Sequence, residues 1–408
     1  MVELRPALRD KIKRLMEKGV NFPNPLTIDI GDEVDTDRIS GNGVRIYPGC
    51  RIYGDQTVIS AGALIGREGP ATIENCQLGP RIELKGGYFN QSVFLEKSNL
   101  GLGAQVREGC ILEEEAGGAH CVGLKQTILF PFVTLGSLIN FCDCLMAGGT
   151  SRKNHSEVGS SYIHFNFTPD GDKTTASLLG DVPRGVMLNQ PPIFLGGQGG
   201  IVGPVRLGFG NVVAAGCVLR KDILQDRQLI SIKPPVERTT NLRPFSYPHL
   251  TRIVRNNFVY LANLAALEQW YIHVRQPFFQ EQELGDLVYQ GALMKLALAA
   301  AERCKRLEDL AGKLAVSGDP GRRELRENAG RLRELFAAGR TQPAGHEQRD
   351  RFLAGLQQNR KQGAGYLETI QRLPAEVLLE GTQWLDQIVE GVTRLLASLA
   401  PSMGLTRD

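Results

Sequence analysis

The chain has 408 residues, long for one compact domain, and its 47 Lys and Arg stand against 44 Asp and Glu for a formal charge of +3. With 25 basic and 25 acidic residues in 1–240, then 22 and 19 in 241–408, neither half has the basic field of a nucleic-acid or anionic-membrane binder. Residues 1–220 hold 33 of the 47 glycines, which predicts two different architectures in one chain.

The first residues, Met1 to Asp10, are charged and lead into no apolar run, so they do not read as a secretory signal. No stretch reaches the roughly 18 uncharged apolar residues of a membrane span. The expectation is a cytoplasmic protein. Leu4, Leu8, Ile12 and Leu15 fall at helical spacing, so residues 1–30 are assigned an N-terminal helix and a lead-in.

From 31 to 225 the apolar residues recur every six positions: Ile46, Ile52, Val58 and Leu64; Leu100, Val106 and Leu112; Leu129, Leu135, Phe141 and Ala147; and Leu195, Ile201, Leu207, Val213 and Leu219. A helix needs steps of three and four, and a half-buried strand a step of two. Six fits a short flat strand plus a tight corner, three of which close one triangular coil of a parallel β-helix. The glycines are assigned to corners where the backbone needs positive φ or close approach. In 46–65 Tyr47, Tyr53, Ile59 and Ile65 keep the same step, so the inward face there stays open. Three segments break the beat: 66–95; the acidic Glu113–Gly123 stretch with His120; and a polar insertion over 151–192. Loops that interrupt a rigid solenoid are the expected place for function. Cys142 and Cys144, two apart, are expected on one strand face as small apolar residues.

The run from Phe194 to Asp222, with Ile201-Val-Gly-Pro-Val205 and Ala214-Ala-Gly216 inside it, resembles the last coils of the hexapeptide-repeat acyltransferases. Within them it is most similar to the acetyltransferase domain of the bacterial N-acetylglucosamine-1-phosphate uridyltransferase/glucosamine-1-phosphate acetyltransferases. Asn166-Phe-Thr-Pro-Asp-Gly-Asp-Lys173 resembles that family's Asn-Tyr-Asp-Gly…Lys loop, and Ser151-Arg-Lys-Asn-His155 the segment with its catalytic His. The resemblance implies a left-handed β-helix, a homotrimer with sites between subunits, acetyl-CoA as donor, and an amino-sugar phosphate or nucleotide sugar as acceptor. It makes His155 the general base, Asn166 and Lys173 substrate contacts, and Ala214, Ala215 and Gly216 neighbours of the cofactor arm. Imidazole suits the first role because it titrates near neutrality, where an ammonium must lose its proton before attack. Arg152 and Lys153 add cations for a sugar diphosphate.

The chain also departs from that pattern. Only 11 residues separate His155 from Asn166, less than one coil, Phe167 replaces Tyr, and Gly197 stands in place of a Ser. Residues 1–30 carry no Gly-rich nucleotide loop, so uridyl transfer is not expected. His164 alternates with Asn166 in Tyr162–Phe167 and is the second candidate base, while a solvated surface histidine is the plain reading of His155. The histidines lack the close pair of a zinc site, so no metal is predicted. Asp170-Gly-Asp172 reads as a turn. A non-catalytic trimer that binds a nucleotide sugar remains the alternative function.

Residues 226–250, with Pro234, Pro235, Pro244 and Pro248, read as a linker, and 251–408 as an α-helical bundle. Leu293, Ala297, Ala300, Cys304, Leu307, Ala311 and Leu314 form a three-heptad seam, Ser317–Gly321 a turn, and Val377 to Leu399 a last helix after Pro374. The bundle is expected to cap the solenoid's C-terminal end and to support oligomerisation.

Overall fold

In the computed structural model, which describes residues 5–234, 236–315 and 318–406, the first element is helix α1 (Pro6–Lys18). Pro6 opens it, where its missing N–H costs nothing, and Gly19 ends it at φ 114°. The helix buries Leu8, Ile12 and Leu15 against the first coil. Lys11 Nζ donates to the carbonyls of Gly31 and Val34 at 2.8 and 2.7 Å, and Lys18 Nζ to that of Ile39 at 2.6 Å. An amphipathic helix thus covers the solenoid's open N-terminal edge.

Behind it the chain coils as a parallel β-solenoid from Asp29 to Ile230. One side is a ten-stranded ladder from Arg45–Ile46 to Leu229–Ile230. The other two sides join into one 16-stranded sheet because Gly123–Leu129 and Asn140–Met146 each run unbroken round a corner. Val93 pairs with Ile111 and Gly200 with Val218, three hexads on. Ile30, Ile52, Ile73, Phe89, Val106, Leu124 and Phe141 stack in register, all buried. Each contributes its side chain to the next coil about 4.8 Å away, so burial is a property of the stack and not of any one coil.

Corners are not reserved for glycine. One column that also holds Gly54 and Gly109 contains Asn75, Gln91, Gln126 and Asp143, with φ of 52°, 44°, 49° and 58°. Left-handed backbone costs an L-residue about 1–2 kcal/mol. Here the amides of Asn75, Gln91 and Gln126 donate to the carbonyls of Tyr53, Glu74 and Glu108 one coil back, and that ladder holds the conformation. The corner at Asp143 also puts Cys142 and Cys144 on different sides of the prism, against the expected shared face. Cys144 is buried and Cys142 half-buried.

The three breaks resolve differently. Residues 66–95 remain coiled, but Thr72 pairs with Tyr88 and Gln77 with Val93, 16 residues on, so the sequence beat slips by two. Glu113–Gly123 also stays in the wall, its Gly117–Gly118 strand pairing on both sides. Within 151–192, Glu157–Val158, Ile163–Phe165 and Ser177–Leu179 are wall strands, and the true excursions are the hairpin at 149–155 and the loops at 166–176 and 180–193. The last strand, Leu229–Ile230, lies beyond the expected boundary at 225.

The loop after Leu179 holds the short α2 (Val182–Gly185), and the helical domain follows as α3 (Leu250–Trp270), α4 (Gln276–Gln280), α5 (Gly285–Lys313), α6 (Pro320–Asn328), α7 (Leu332–Thr341), α8 (His346–Asn359), α9 (Tyr366–Gln371) and α10 (Ala375–Ala397). Pro235 and Ser317, which the linker and turn readings used, fall outside the described residues. The α5 seam is as expected from Ala300 onward, but Ala297 is exposed and Leu296 and Ala299 are buried in its place. Trp270, Phe352 and Trp384 form the aromatic core, with Trp270 and Phe352 centroids 5.4 Å apart.

The bundle does not cap the C-terminal end. It lies along the flank, from Asn42, whose Nδ2 donates to Glu283 at 2.9 Å, to Val182, whose N–H donates to Asn263 at 2.9 Å. Among the described residues no helix is long and apolar enough to cross a membrane.

Candidate functional site

The hairpin pairs Gly149–Ser151 with Asn154–His155 and leaves the coil through Gly148 and Gly149, both at φ near 100°. A Cβ on Gly149 would stand 2.6 Å from the His155 backbone, so only glycine lets the two strands close. At the tip, Arg152 turns back onto the wall. Its Nη1 donates to the Glu115 carbonyl at 2.9 Å and to Thr134 Oγ1 at 2.9 Å. Its own carbonyl accepts from His155 Nδ1 at 2.9 Å. That bond places the ring proton on Nδ1 and leaves Nε2 as the basic nitrogen, 3.8 Å from a Glu157 carboxylate oxygen.

Beside the hairpin is a cleft of about 830 Å³ between solenoid and helical domain. Arg152 and Lys153 line one wall, and Phe132, Phe278 and Tyr366 supply aromatic surface. Its carboxylates are matched: Glu96 and Glu115 by Lys97, Glu368 by Arg372, Glu281 by Arg360, Glu114 by Arg275. Arg152 is held by neutral oxygens, and the Lys153 ammonium has no partner among the described residues. The volume is that of a small-molecule pocket, and it sits at a domain boundary, where such pockets concentrate. His155 is not among its lining residues, although it is bonded to one of them.

The other sequence candidates lie elsewhere. His164 is 3% exposed, its Nε2 is 2.8 Å from Ser177 Oγ, and burial pushes its pKa down to about 4. Asn166 accepts from Thr175 Oγ1 at 2.9 Å and donates to Asp143 at 3.5 Å. Lys173 has an exposed side chain, and its carbonyl accepts from Arg303 at 3.1 Å. Ala215 and Gly216 are exposed and Ala214 half-buried, at the corner after Val212–Val213. His155 precedes Glu157–Val158 on that same side, two coils earlier. Within one chain His155 and the 214–216 corner therefore stand at opposite ends of the side. Among the described residues no His, Cys, Asp and Glu group has metal-site geometry.

Two buried ionic clusters escaped the sequence reading. Asp143 meets Arg303 of α5 at 2.7 Å, and burial raises its carboxyl pKa while the guanidinium opposes that. Glu113 and Glu114 meet Arg275, which lies 4.0 Å from the Tyr366 ring centroid, and burial pushes Glu113 up to about 7. The signals were present: an Asp inside the apolar run Phe141–Met146, and acids directly after Ile111–Leu112. A buried acid on a solenoid wall requires a cation from another element.

Fold and periodicity together define a hexapeptide-repeat β-solenoid protein with an appended helical domain. Over about 55% of its length the chain is distantly homologous to proteins called bifunctional protein GlmU. The Thermotoga maritima protein of that name is 25% identical over 217 residues, 52% of this chain and 42% of its own length. The Pelobacter propionicus protein is 28% identical over 234 residues, 57% of this chain and 45% of its own. The Acinetobacter baumannii protein is 26% identical over 254 residues, 58% of this chain and 47% of its own. The chain spans less than half the length of these curated relatives. No family model matches it.

Proposed function

We propose that the chain is an acyltransferase that moves the acetyl group of acetyl-CoA to the amine of a phosphorylated or nucleotide-linked amino sugar. The observation that carries this reading is the His155 ring, fixed through Nδ1 on the Arg152 carbonyl with Nε2 left as the basic nitrogen, 3.8 Å from Glu157. Nε2 takes a proton from the acceptor ammonium, the amine attacks the thioester carbonyl, and as the tetrahedral intermediate collapses to amide and CoA thiolate the second nitrogen proton passes to the departing sulfur. Arg152 and Lys153 face a cleft whose acids are already matched, so their charge is left for phosphate, and the aromatic wall suits a sugar or base ring. Lys173 is a further acceptor contact, and Asn166 joins it if its amide leaves the Asp143–Thr175 network.

The donor assignment rests on the resemblance of 194–222. Ala214, Ala215 and Gly216 would receive the cofactor arm, and because they stand far along the side from His155, a complete site needs two subunits. Phe194, Val212 and Leu229 support such assembly: they stack in register on the outer surface and are exposed, Leu229 by 79%. A homotrimer follows from the same resemblance.

Thiol release from acetyl-CoA with glucosamine 1-phosphate or UDP-linked amino sugars tests the reading, and His155→Ala should abolish it. Turnover lost in His164→Ala but kept in His155→Ala would overturn the assignment of the base. The second reading, a binding protein without turnover, draws on Asn166, whose amide is engaged inside the protein. It predicts a ligand-dependent rise in Tm with nucleotide sugars and no thiol release from any acceptor.

A further inference from the structure

Helix α5 carries a lysine where a surface lysine is not expected. Lys295 is 3% exposed and faces the middle coils of the solenoid, where α5 packs on Gln77–Leu78 and Val93–Phe94. The approach is close because Gly291, one turn earlier, leaves no Cβ: one built there would stand 2.5 Å from Gln77 Oε1. Lys295 has no hydrogen bond and no ion pair among the described residues. The thiol of Cys76, whose charged form would act on it, is pushed up to about 12 by burial and offers no negative charge at neutral pH. Burial likewise pulls the Lys295 ammonium below its usual range. An ammonium with little access to water and no counter-ion is unfavourable and calls for an anionic or hydrogen-bonding partner.

That lysine lines a cavity of about 250 Å³ at the solenoid corner. At roughly 30 Å³ per water, the volume suits a small ion with part of its hydration shell. Around Lys295 the lining includes the amides of Gln56, Asn75 and Gln91, with Met294 at the exposed rim. Asn75 Oδ1 accepts from the Gln56 N–H at 3.3 Å, and among the described residues neither the Asn75 NH₂ group nor the Gln91 side-chain amide has a hydrogen-bond partner. Asp55 is the carboxylate of the lining, and it makes no ion pair with Lys295.

We infer that this cavity is a binding site for a small oxyanion of the phosphate or carboxylate class, with Lys295 as its charge partner and the Asn75 and Gln91 amides as donors. The site is separate from the cleft at Arg152 and does not depend on acyl transfer. Bound there, the anion ties α5 to the solenoid corner and neutralises a buried cation that has no counter-ion among the described residues. Charge-assisted hydrogen bonds from a desolvated ammonium are the strong kind, and an anion that binds only the folded state stabilises it by mass action.

The experiment is thermal unfolding of the full chain at pH 7.5 against rising inorganic phosphate or acetate, with chloride at matched ionic strength as control. The expected result is a saturable rise in Tm with phosphate, acetate or both, absent in Lys295→Met, which without the anion is at least as stable as the parent. Gln91→Leu keeps the lysine and should weaken the apparent affinity about tenfold, the usual loss for one hydrogen bond to a charged group. It serves as the readout if Lys295→Met does not fold. No response beyond chloride, or the same response in the variants, overturns the proposal.

Discussion

Arg303 of α5 reaches across the domain boundary and places Nη2 2.7 Å from Asp143 Oδ1, at a solenoid corner where both side chains are buried. The second Arg303 nitrogen holds the Lys173 carbonyl, and the second Asp143 oxygen accepts from Asn166 and Thr175. One ion pair thus orders the 166–176 loop and the helical domain together. Asp143→Asn keeps the corner backbone, since Asn tolerates positive φ, but leaves the guanidinium without its counter-charge. Removing one member of a buried pair costs about 3–5 kcal/mol, which urea unfolding should report as a lower midpoint at unchanged slope.

His164 should make stability pH-dependent in a defined direction. Its folded pKa, about 4, lies below the ordinary value of 6.5, so the folded state favours the neutral ring. Its contribution is fully present above pH 6.5 and is lost as pH falls towards 4. The difference corresponds to about 3 kcal/mol. His164→Asn should flatten the pH dependence of unfolding in this window, while the parent loses stability across it.

Among the described residues the Lys153 ammonium has no partner, so its removal should leave the protein folded and affect only ligand. Lys153→Ala is expected to raise KM for a phosphorylated acceptor about tenfold with little change in kcat, as for the loss of one bond to a charged group. Steady-state kinetics with acceptors with and without the phosphate separates this from a general loss of activity.

The outer ladder of Phe194, Val212 and Leu229 should fail as an interface when charged. On the proposed homotrimer, Val212→Asp with Leu229→Asp is expected to shift the mass in light scattering from trimer towards monomer, with an unchanged circular dichroism spectrum. Since these side chains point outward, the coil interior is untouched.

Periodicity made the solenoid legible because every hexad answers to the same constraint: one apolar residue per side must stack on its neighbours, as Ile30 to Phe141 do. The beat was lost over 66–95 because a coil can shorten by two residues and still pair, which shifts the phase without changing the fold. Corner residues were legible only in part. Glycine was the expected signal, yet Asn75, Gln91 and Gln126 hold positive φ through bonds to the preceding coil, which local sequence does not encode.

The candidate site divides along the same line. The Ser151–His155 segment could be picked out from its residues, but its geometry depends on the Arg152 carbonyl meeting the imidazole across a hairpin. His164 lies in the strand Ile163–Phe165 and Asn166 directly after it, and their proximity was readable in the sequence. Their environment was decided by Asp143, Thr175 and Ser177 from other coils and by Arg303 from α5. The same holds for the helical domain: its seam is local and readable, whereas its place on the flank follows from buried acids at Glu113, Glu114 and Asp143 whose cations lie 160 or more residues away. Repeating short-range constraints leave a trace in sequence. Desolvated charges matched across the chain do so only once the structure brings them together.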